Sequence, residues 1–173
     1  MVVTEHPVID AVVDLHADAL GSAKQTYRNH VLRGLNYHRH LSGNEPSNEV
    51  ALAWAVHDLG IWTNSTWDYL DPSAALADPV AAQFGVTDIA HVHRMVLEHH
   101  KLRRVRDDAE VEAFRLADLV DVSLGVRRAG IPRAEVREVV TALPYLGFHR
   151  FLARGLTGWA AHHPLRPAPM LRW

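Results

Sequence analysis

The chain has 173 residues, of which 48% are hydrophobic and 22% charged, and its formal net charge is −2. This length is enough for one globular domain with a core that needs no covalent staples. The balanced charge excludes the strongly basic field typical of proteins that bind nucleic-acid polymers. The absence of cysteine excludes disulfides, thiolate catalysis and Cys-ligated zinc. With 13 histidines, imidazole and carboxylate remain as the metal ligands.

Apolar residues recur at helical spacing along the chain, and no strand-like alternation is evident. We therefore predict one all-α domain over residues 1–173, with a core over about 26–125, C-terminal helices over about 132–161 and an extended tail over 162–173. The predicted helices span about 7–22, 26–41, 47–60, 73–84, 87–102, 108–125, 132–141 and 147–161. No leader-like segment and no apolar run near ~20 residues is visible, so we expect a cytoplasmic protein without a transmembrane segment.

The second and third predicted helices each direct polar side chains inward. On the second, His30 shares a face with Tyr27 and Val31, and Gly34 leaves space one turn further on. On the third, the segment "WAVHDLGIW" places His57 and Asp58 on the apolar stripe of the helix. A buried carboxylate must be paired, neutralised or bound to a cation. For this helix alone, a simple buried His–Asp hydrogen bond is the plainer explanation.

Two later helices repeat this pattern. The fifth predicted helix carries His100 on an apolar face, with His99 beside it. The sixth carries both Asp118 and Asp121 on its apolar face, and spacing alone leaves open which one is a ligand. Four helices that each aim His or Asp into the interior are better explained by a shared cation than by four separate buried polar groups.

The order of these residues resembles a known family. His30, then His57-Asp58 in "HDLG", then Asp118 in "RLADLVD" is similar to the H…HD…D pattern of the HD-domain superfamily of metal-dependent phosphohydrolases, over roughly residues 26–125. The resemblance implies an HD-like helical bundle around a central metal site, with His30, His57, Asp58 and Asp118 as ligands. The segment "LAD" favours Asp118 over Asp121. The implied cofactor is a divalent ion, for which Mn, Fe, Co, Zn, Ni and Mg all stay open.

The chain also departs from the family pattern. HD members with two metals usually have another His shortly before a helix-opening Pro, where this chain has Asp71 before Pro72. A second ion would use Asp71, His99 and His100. We predict one tightly held ion instead, with Asp71 capping the helix that Pro72 opens.

The implied activity is hydrolysis of a small phosphorylated metabolite or nucleotide. Candidate phosphate contacts are Arg33, Lys101, Arg103 and Arg104, although a surface charge at Arg33 and a solvated helix end at "KLRR" are the plainer alternatives. In the loop "TNSTWDYLDPS", Trp67 and Tyr69 are candidates for stacking on the substrate or simply for sealing the core. Asp58 and Asp68 are the candidate catalytic carboxylates.

Two rival functions stay open. An HD-type di-iron oxygenase would need a fuller set of histidines, and a non-catalytic metal- or nucleotide-binding HD protein would keep the site without turnover. The last predicted helix, 147–161, alternates aromatic residues with arginines. Such a helix can lie on a membrane surface or form a homodimer, but more often packs back on its own bundle.

Overall fold

The computed structural model describes residues 1–171, and within them all regular structure is helical. This confirms the all-α prediction. Two short 3₁₀ turns, at Gly21–Ala23 and Ala81–Phe84, accompany the α-helices. The α-helices are α1 (Pro7–Leu15), α2 (Ala17–Leu20), α3 (Lys24–Ser42), α4 (Asn48–Val56), α5 (Gly60–Thr63), α6 (Leu70–Ala75), α7 (Ile89–Glu98), α8 (Ala109–Val122), α9 (Arg133–Ala142) and α10 (Phe148–His162).

Helix α3 is the central element of the bundle. It packs most extensively along α8, and also against α1, α4 and α9. Neighbours on several sides bury every residue from Asn29 to His38. A helix buried all round is normally apolar, yet this one carries His30, Arg33 and His38 in the interior. These polar groups therefore need partners from the surrounding helices.

A close contact between α3 and α4 sets the spacing around the site. The ring of Trp54 lies so near Gly34 that a Cβ there would be 2.2 Å from Trp54 Cζ3. The Trp54 ring also stacks on Phe114 of α8, with centroids 4.1 Å apart. Gly34 follows His30 by one turn and Trp54 precedes His57 by three residues, so this contact holds both histidines at short range.

Several predicted helices end earlier than expected. The predicted helix 47–60 is α4, which stops at Val56, and residues 57–59 form a turn before α5. The Gly60 amide donates to Ser73 Oγ at 2.9 Å instead of continuing the helical ladder. A Cβ at Gly60 would lie 2.8 Å from the Tyr69 carbonyl oxygen, so the turn requires glycine. His57 and Asp58 therefore sit just beyond a helix end.

Other boundaries need similar corrections. The predicted helix 7–22 is divided into α1 and α2, and then breaks where Gly21 adopts a left-handed φ of 50°. The predicted helix 73–84 begins at Leu70 and ends at Ala75, and Pro79 lacks the amide needed to continue it. The predicted helix 87–102 ends at Glu98, so the "KLRR" segment lies outside α7.

The predicted capping role of Asp71 is also wrong. Helix α6 begins at Leu70, with Tyr69 at the N-cap position, so Asp71 is the second helical residue. Pro72 is the third, where its missing amide costs no helical hydrogen bond. The sequence pattern located the helix start to within a few residues but assigned the N-cap position to the wrong residue.

The C-terminal region packs back on the bundle. Phe148 of α10 is fully buried, and Met170 joins an apolar cluster with Ile61, Tyr69 and Leu70. The tail predicted as extended instead turns back after α10, and Arg166 pairs with Asp68 at 2.9 Å. Positions 172 and 173 of that predicted tail lie outside the described residues. Within residues 1–171, no helix combines the length and apolarity needed to span a bilayer.

We expect Gly34→Ala to destabilise the fold. The added methyl group would overlap the Trp54 ring, and overpacking of this kind typically costs about 1–3 kcal/mol. Gly158→Ala in α10 is the matched control, because a Cβ there meets nothing within 4 Å and Ala usually stabilises a helix interior by about 0.5–1 kcal/mol. Chemical denaturation measures both free energies of unfolding. Equal stabilities for Gly34→Ala and the wild type would contradict the proposed packing.

Candidate metal centre

Six polar side chains from four parts of the chain meet in the interior. They are His30 from α3, His57 and Asp58 from the turn after α4, His99 and His100 from the end of α7, and Asp118 from α8. Five of the six are at most 3% exposed, and His100 is the partly exposed member. Residues more than 80 positions apart thus form one buried cluster.

Hydrogen bonds fix the orientation of three imidazole rings. His57 Nδ1 lies 2.8 Å from the Trp54 carbonyl oxygen, and His99 Nδ1 lies 2.6 Å from that of Val96. His30 Nδ1 lies 2.7 Å from Asp121 Oδ2. A carbonyl oxygen and an ionised carboxylate can only accept, so each Nδ1 carries the proton and donates it. In the neutral imidazole each Nε2 then presents a lone pair to the centre of the cluster.

The helix ends explain two of these bonds. The last carbonyls of an α-helix have no intrahelical partner. Because α4 ends at Val56 and α7 at Glu98, the carbonyls of Trp54 and Val96 are available to the histidines that follow. A histidine inside a continuous helix would find that carbonyl already bonded. The early helix ends are therefore part of the site.

The lone pairs converge on the two carboxylates. The Nε2 atoms of His30 and His57 lie 3.0 Å apart, and Asp58 Oδ2 lies 3.5 Å from each. Asp118 Oδ1 is 3.8 Å from His30 Nε2 and 3.9 Å from His57 Nε2. Two acceptor atoms at 3.0 Å repel unless a proton or a cation lies between them. This donor set, neutral imidazole with carboxylate, suits a divalent transition ion.

Buried atoms without partners point to the same conclusion. Asp58 Oδ1, His99 Nε2 and Asp118 Oδ1 are buried and have no hydrogen-bond partner. An unsatisfied buried polar group costs about 1–3 kcal/mol, and more when it is charged. A cation held by Asp58 and His99 would give two of these atoms a partner. The residues present therefore fit a metal ion.

The cluster contains two overlapping groups with metal-like spacing. One is His30, His57 and Asp58, and the other is Asp58, His99 and His100, so the predicted ligand Asp118 belongs to neither, although its Oδ1 lies 3.8 Å from His30 Nε2. Asp58 belongs to both, with its Oδ1 3.3 Å from His99 Nε2. The described residues lie close enough to hold an ion, and Asp58 would be a ligand in either group.

Electrostatics in the metal-free cluster reflect this crowding. Burial raises the pKa of Asp118 to about 7, with help from the charges of Asp58 and Asp121. Burial lowers the pKa of His57 to about 3, and neighbouring His30 and His99 act in the same direction. Burial also disfavours charge on His30, but hydrogen bonds to Asp121 and Asp58 outweigh it and raise the pKa of His30 to about 9. Without a cation, the cluster is stabilised by protons instead.

Asp121 and Arg33 support the cluster from outside. Arg33 is fully buried and forks onto Asp121, with Nε 2.6 Å from Oδ1 and Nη2 2.8 Å from Oδ2. Burial raises the pKa of Asp121, but Arg33 and His30 outweigh it and hold that pKa at about 2. Asp118 therefore faces the centre, while Asp121 orients His30 from behind. Arg33 was predicted to be a phosphate contact or a surface charge, but its side chain is fully buried and hydrogen-bonded to Asp121.

The structure distributes the other predicted residues differently. Tyr69 is at the cluster, because its hydroxyl lies 2.8 Å from His100 Nε2. Trp67 instead packs against Phe151 and Gly155 of α10. Lys101 pairs with Glu98 at 3.1 Å, and Arg103, Arg104 and Asp71 are exposed. Asp68 is ion-paired with Arg166 of the tail.

Sequence reasoning missed two contributors to the site. Phe148 stacks on the His30 ring, with centroids 4.1 Å apart, and no feature of the sequence links α10 to α3. The Arg33–Asp121 pair could in principle have been predicted from the sequence. Arg33 follows His30 by one turn, and a second inward carboxylate on α8 needs a cation if it is not itself a ligand.

Comparison with known proteins identifies no relative, since no family model, curated protein or solved structure matches this chain.

We expect Asp118→Asn to abolish most of the response to metal. Wild-type protein should gain about 2.7 kcal/mol at a metal concentration 100 times Kd, whereas the variant lacks one charged donor. Its metal-free stability should equal or exceed that of the wild type, because Asn removes a buried carboxylate next to Asp58. Thermal unfolding with and without Mn²⁺ or Zn²⁺ measures both effects.

Glu112→Gln is the matched control for this experiment. Glu112 is another buried carboxylate of α8, but it bonds to Arg115 and to the Val105 amide. Its replacement should lower metal-free stability and leave the metal response intact. An undiminished metal response in Asp118→Asn would refute the assignment of Asp118 as a ligand.

We expect Asp121→Asn to weaken metal binding by about 10–100-fold, as is typical when the partner of a metal-bound histidine is lost. Asp10→Asn is the control, because it removes a carboxylate from a surface pair with Arg28. Competition against a chromogenic chelator measures the affinities. A Kd within twofold of the wild type for Asp121→Asn would show that His30 does not depend on this hydrogen bond.

Proposed function

We propose that this protein is a metal-dependent hydrolase of the HD-domain type, most specifically a phosphohydrolase acting on a small phosphorylated metabolite or nucleotide. The observation that carries the proposal is the convergence of three imidazole lone pairs and two carboxylates, with three of these atoms buried and unsatisfied. The order His30, His57-Asp58, Asp118 along the chain supports it, because it resembles the HD pattern.

The proposed ligands are His30, His57, Asp58 and Asp118, with His99 and His100 available to a second ion. A divalent ion held there would polarise a phosphoryl oxygen and lower the pKa of bound water. The protein contributes fixed geometry, since each Nδ1 bond prevents its ring from turning away. Burial excludes competing water and strengthens every charge interaction inside the cluster.

His100 is the proposed proton carrier of this site. It is the partly exposed member of the cluster, and its Nε2 is bonded to the Tyr69 hydroxyl. Its Nδ1 lies 3.6 Å from Asp118 Oδ2, inside the cluster. Burial lowers the pKa of His100 well below its usual value, so the ring is neutral, and it would pass a proton between the hydroxyl and the carboxylate by taking one at one nitrogen as it releases one from the other. Asp68, occupied by Arg166, is less well placed for this role.

Positive charge for the substrate would come from the segment after His100. Lys101 and the exposed Arg103 and Arg104 follow it directly. Guanidinium and ammonium groups position phosphate by charge-assisted hydrogen bonds. Of the predicted phosphate contacts, these three remain candidates and Arg33 does not. The Arg33 guanidinium is hydrogen-bonded to Asp121 and to the Leu143 carbonyl.

The test is turnover of phosphoesters by purified protein supplied with Mn²⁺ or Co²⁺. We expect hydrolysis of p-nitrophenyl phosphate or nucleoside monophosphates, and loss of at least about 100-fold in kcat/KM for Asp58→Asn, equivalent to about 2.7 kcal/mol. Glu112→Gln should retain activity at a temperature where both variants are folded. Turnover that is absent from the wild type, or unchanged in Asp58→Asn, would refute the hydrolase proposal.

The sharing of Asp58 between two groups of ligands favours a second candidate, an HD-type di-iron oxygenase. The absence of a histidine near Pro72 weighs against it. Iron content and colour of freshly purified protein, together with oxygen consumption, distinguish this oxygenase from the hydrolase.

A further inference from the structure

A cleft on the far side of Arg33 carries an uncompensated positive charge. It has a volume of about 720 Å³ and lies between the segment after α8 and helix α9. Its cationic lining residues are Arg128, Arg133 and Arg137, and no carboxylate is found among the described residues that line it. With three arginines it has one more than the cleft lined by Arg150 and Arg154, which also has no carboxylate among its described lining residues.

The three arginines have no acidic partner within residues 1–171. None of them forms an ion pair there, a property shared with other exposed arginines such as Arg150 and Arg154 but not with Arg28 or Arg115. The glutamates of α9 point elsewhere, since Glu135 pairs with His40 and lines a different cavity together with Glu138. Arg133 and Arg137 thus line the cleft and the two glutamates do not, although Arg137 also borders a cavity that Glu138 lines.

The three arginines are exposed to solvent, so their mutual repulsion is small, but without a ligand nothing relieves it. Arg133 and Arg137 are four residues apart on one helix, where like charges repel. Arg133 is also the first residue of α9, at the end of the helix where the macrodipole disfavours a cation. The backbone beside the cleft adopts left-handed conformations at Leu124 (φ 56°) and Ala129 (φ 50°), which are costly for residues other than glycine.

The cleft also offers an apolar surface. Val136, Val140 and Tyr145 line it, and Leu124 and Val126 are 56% and 79% exposed. A concave volume of this size falls in the range of small-molecule pockets, about 300–1,000 Å³. Three guanidinium groups match two or more phosphates, because each can fork onto phosphate oxygens. The ligand therefore combines several negative charges with an apolar or aromatic body.

We propose that this cleft, which we call the α9 cleft, binds an organic polyphosphate such as a nucleoside triphosphate at a site separate from the metal centre. The Tyr145 ring lines the cleft and lies against the Arg33 guanidinium, 4.3 Å from it. Arg33 in turn holds Asp121, which orients His30. The α9 cleft therefore lies next to Arg33, which supports the metal centre through Asp121, but it shares no residue with the buried cluster.

The test measures binding of ATP to the full chain by titration calorimetry in the presence of EDTA, so that no metal-bound phosphate contributes. We expect saturable binding that the double variant Arg133→Gln/Arg137→Gln weakens at least about tenfold, through loss of two charge-assisted contacts. Higher salt should weaken it further. Adenosine, which lacks phosphate, should not compete.

The matched control is the double variant Arg150→Gln/Arg154→Gln. These arginines also lie four residues apart on an exposed helix and line another cleft of about 720 Å³, so the variant matches both the change in net charge and the local setting, but with two arginines in place of three. Binding within about twofold of the wild type is expected, because a site-specific contact outweighs a change in overall charge. Equal losses in the two double variants, or no saturable ATP binding by the wild type, would overturn the proposal.

A second measurement separates the cleft from a lipid-binding surface. Co-sedimentation with vesicles of phosphatidylserine and phosphatidylcholine tests whether the same arginines bind phosphate at a membrane. Sedimentation that depends on Arg133 and Arg137, without ATP binding, would overturn the small-molecule assignment. Because ATP binding is measured without metal, its outcome does not depend on whether the buried cluster is hydrolytic.

Discussion

The burial of Asp58 and Asp118 among imidazole lone pairs is the constraint on which this structure depends. Two carboxylates in an interior that excludes water repel each other, and three Nε2 atoms add no donor to relieve them in the neutral state. Protons or a cation must stabilise the cluster, since an unpaired buried charge costs several kcal/mol. In the metal-free form this arrangement costs stability, because the buried carboxylates and imidazoles lack a cation to share.

The surrounding elements hold the cluster together at short range. The glycine at position 34 lets the Trp54 ring approach α3, and the same ring stacks on Phe114 of α8. These contacts bring three helices to one point. The breaks after α4 and α7 then free the backbone carbonyls that orient His57 and His99. Packing thus determines where the ligands are, and helix ends determine which ring nitrogen faces inward.

The sequence predicted the inward residues better than the geometry around them. Helical periodicity places His30, His57, Asp58 and Asp118 on apolar faces, and all four are buried. Periodicity averages over several turns, so it could not show that α4 ends at Val56, which depends on the distant Ser73 hydroxyl. For the same reason it left Asp118 and Asp121 equivalent. The position of Arg33 in three dimensions distinguishes the two. Arg33 binds Asp121, which holds His30 from outside the cluster, and Asp118 faces the cluster itself.

Long-range contacts explain why the substrate residues were harder to predict. Trp67 and Asp68 were assigned to the site because their loop follows His57 and Asp58. In the structure Trp67 packs against Phe151 of α10, and Asp68 is ion-paired with Arg166 of the tail. Phe148 closes one side of the cluster by stacking on His30, and Met170 packs beside Tyr69. The partly exposed edge of the cluster is then at His100. A substrate that reaches the proposed ions with α10 in place must approach along this edge, next to Lys101, because the other ligands are at most 3% exposed. Access from one side only keeps water from most of the cluster. Charge interactions inside the cluster are therefore weakly screened where a phosphoryl group would enter.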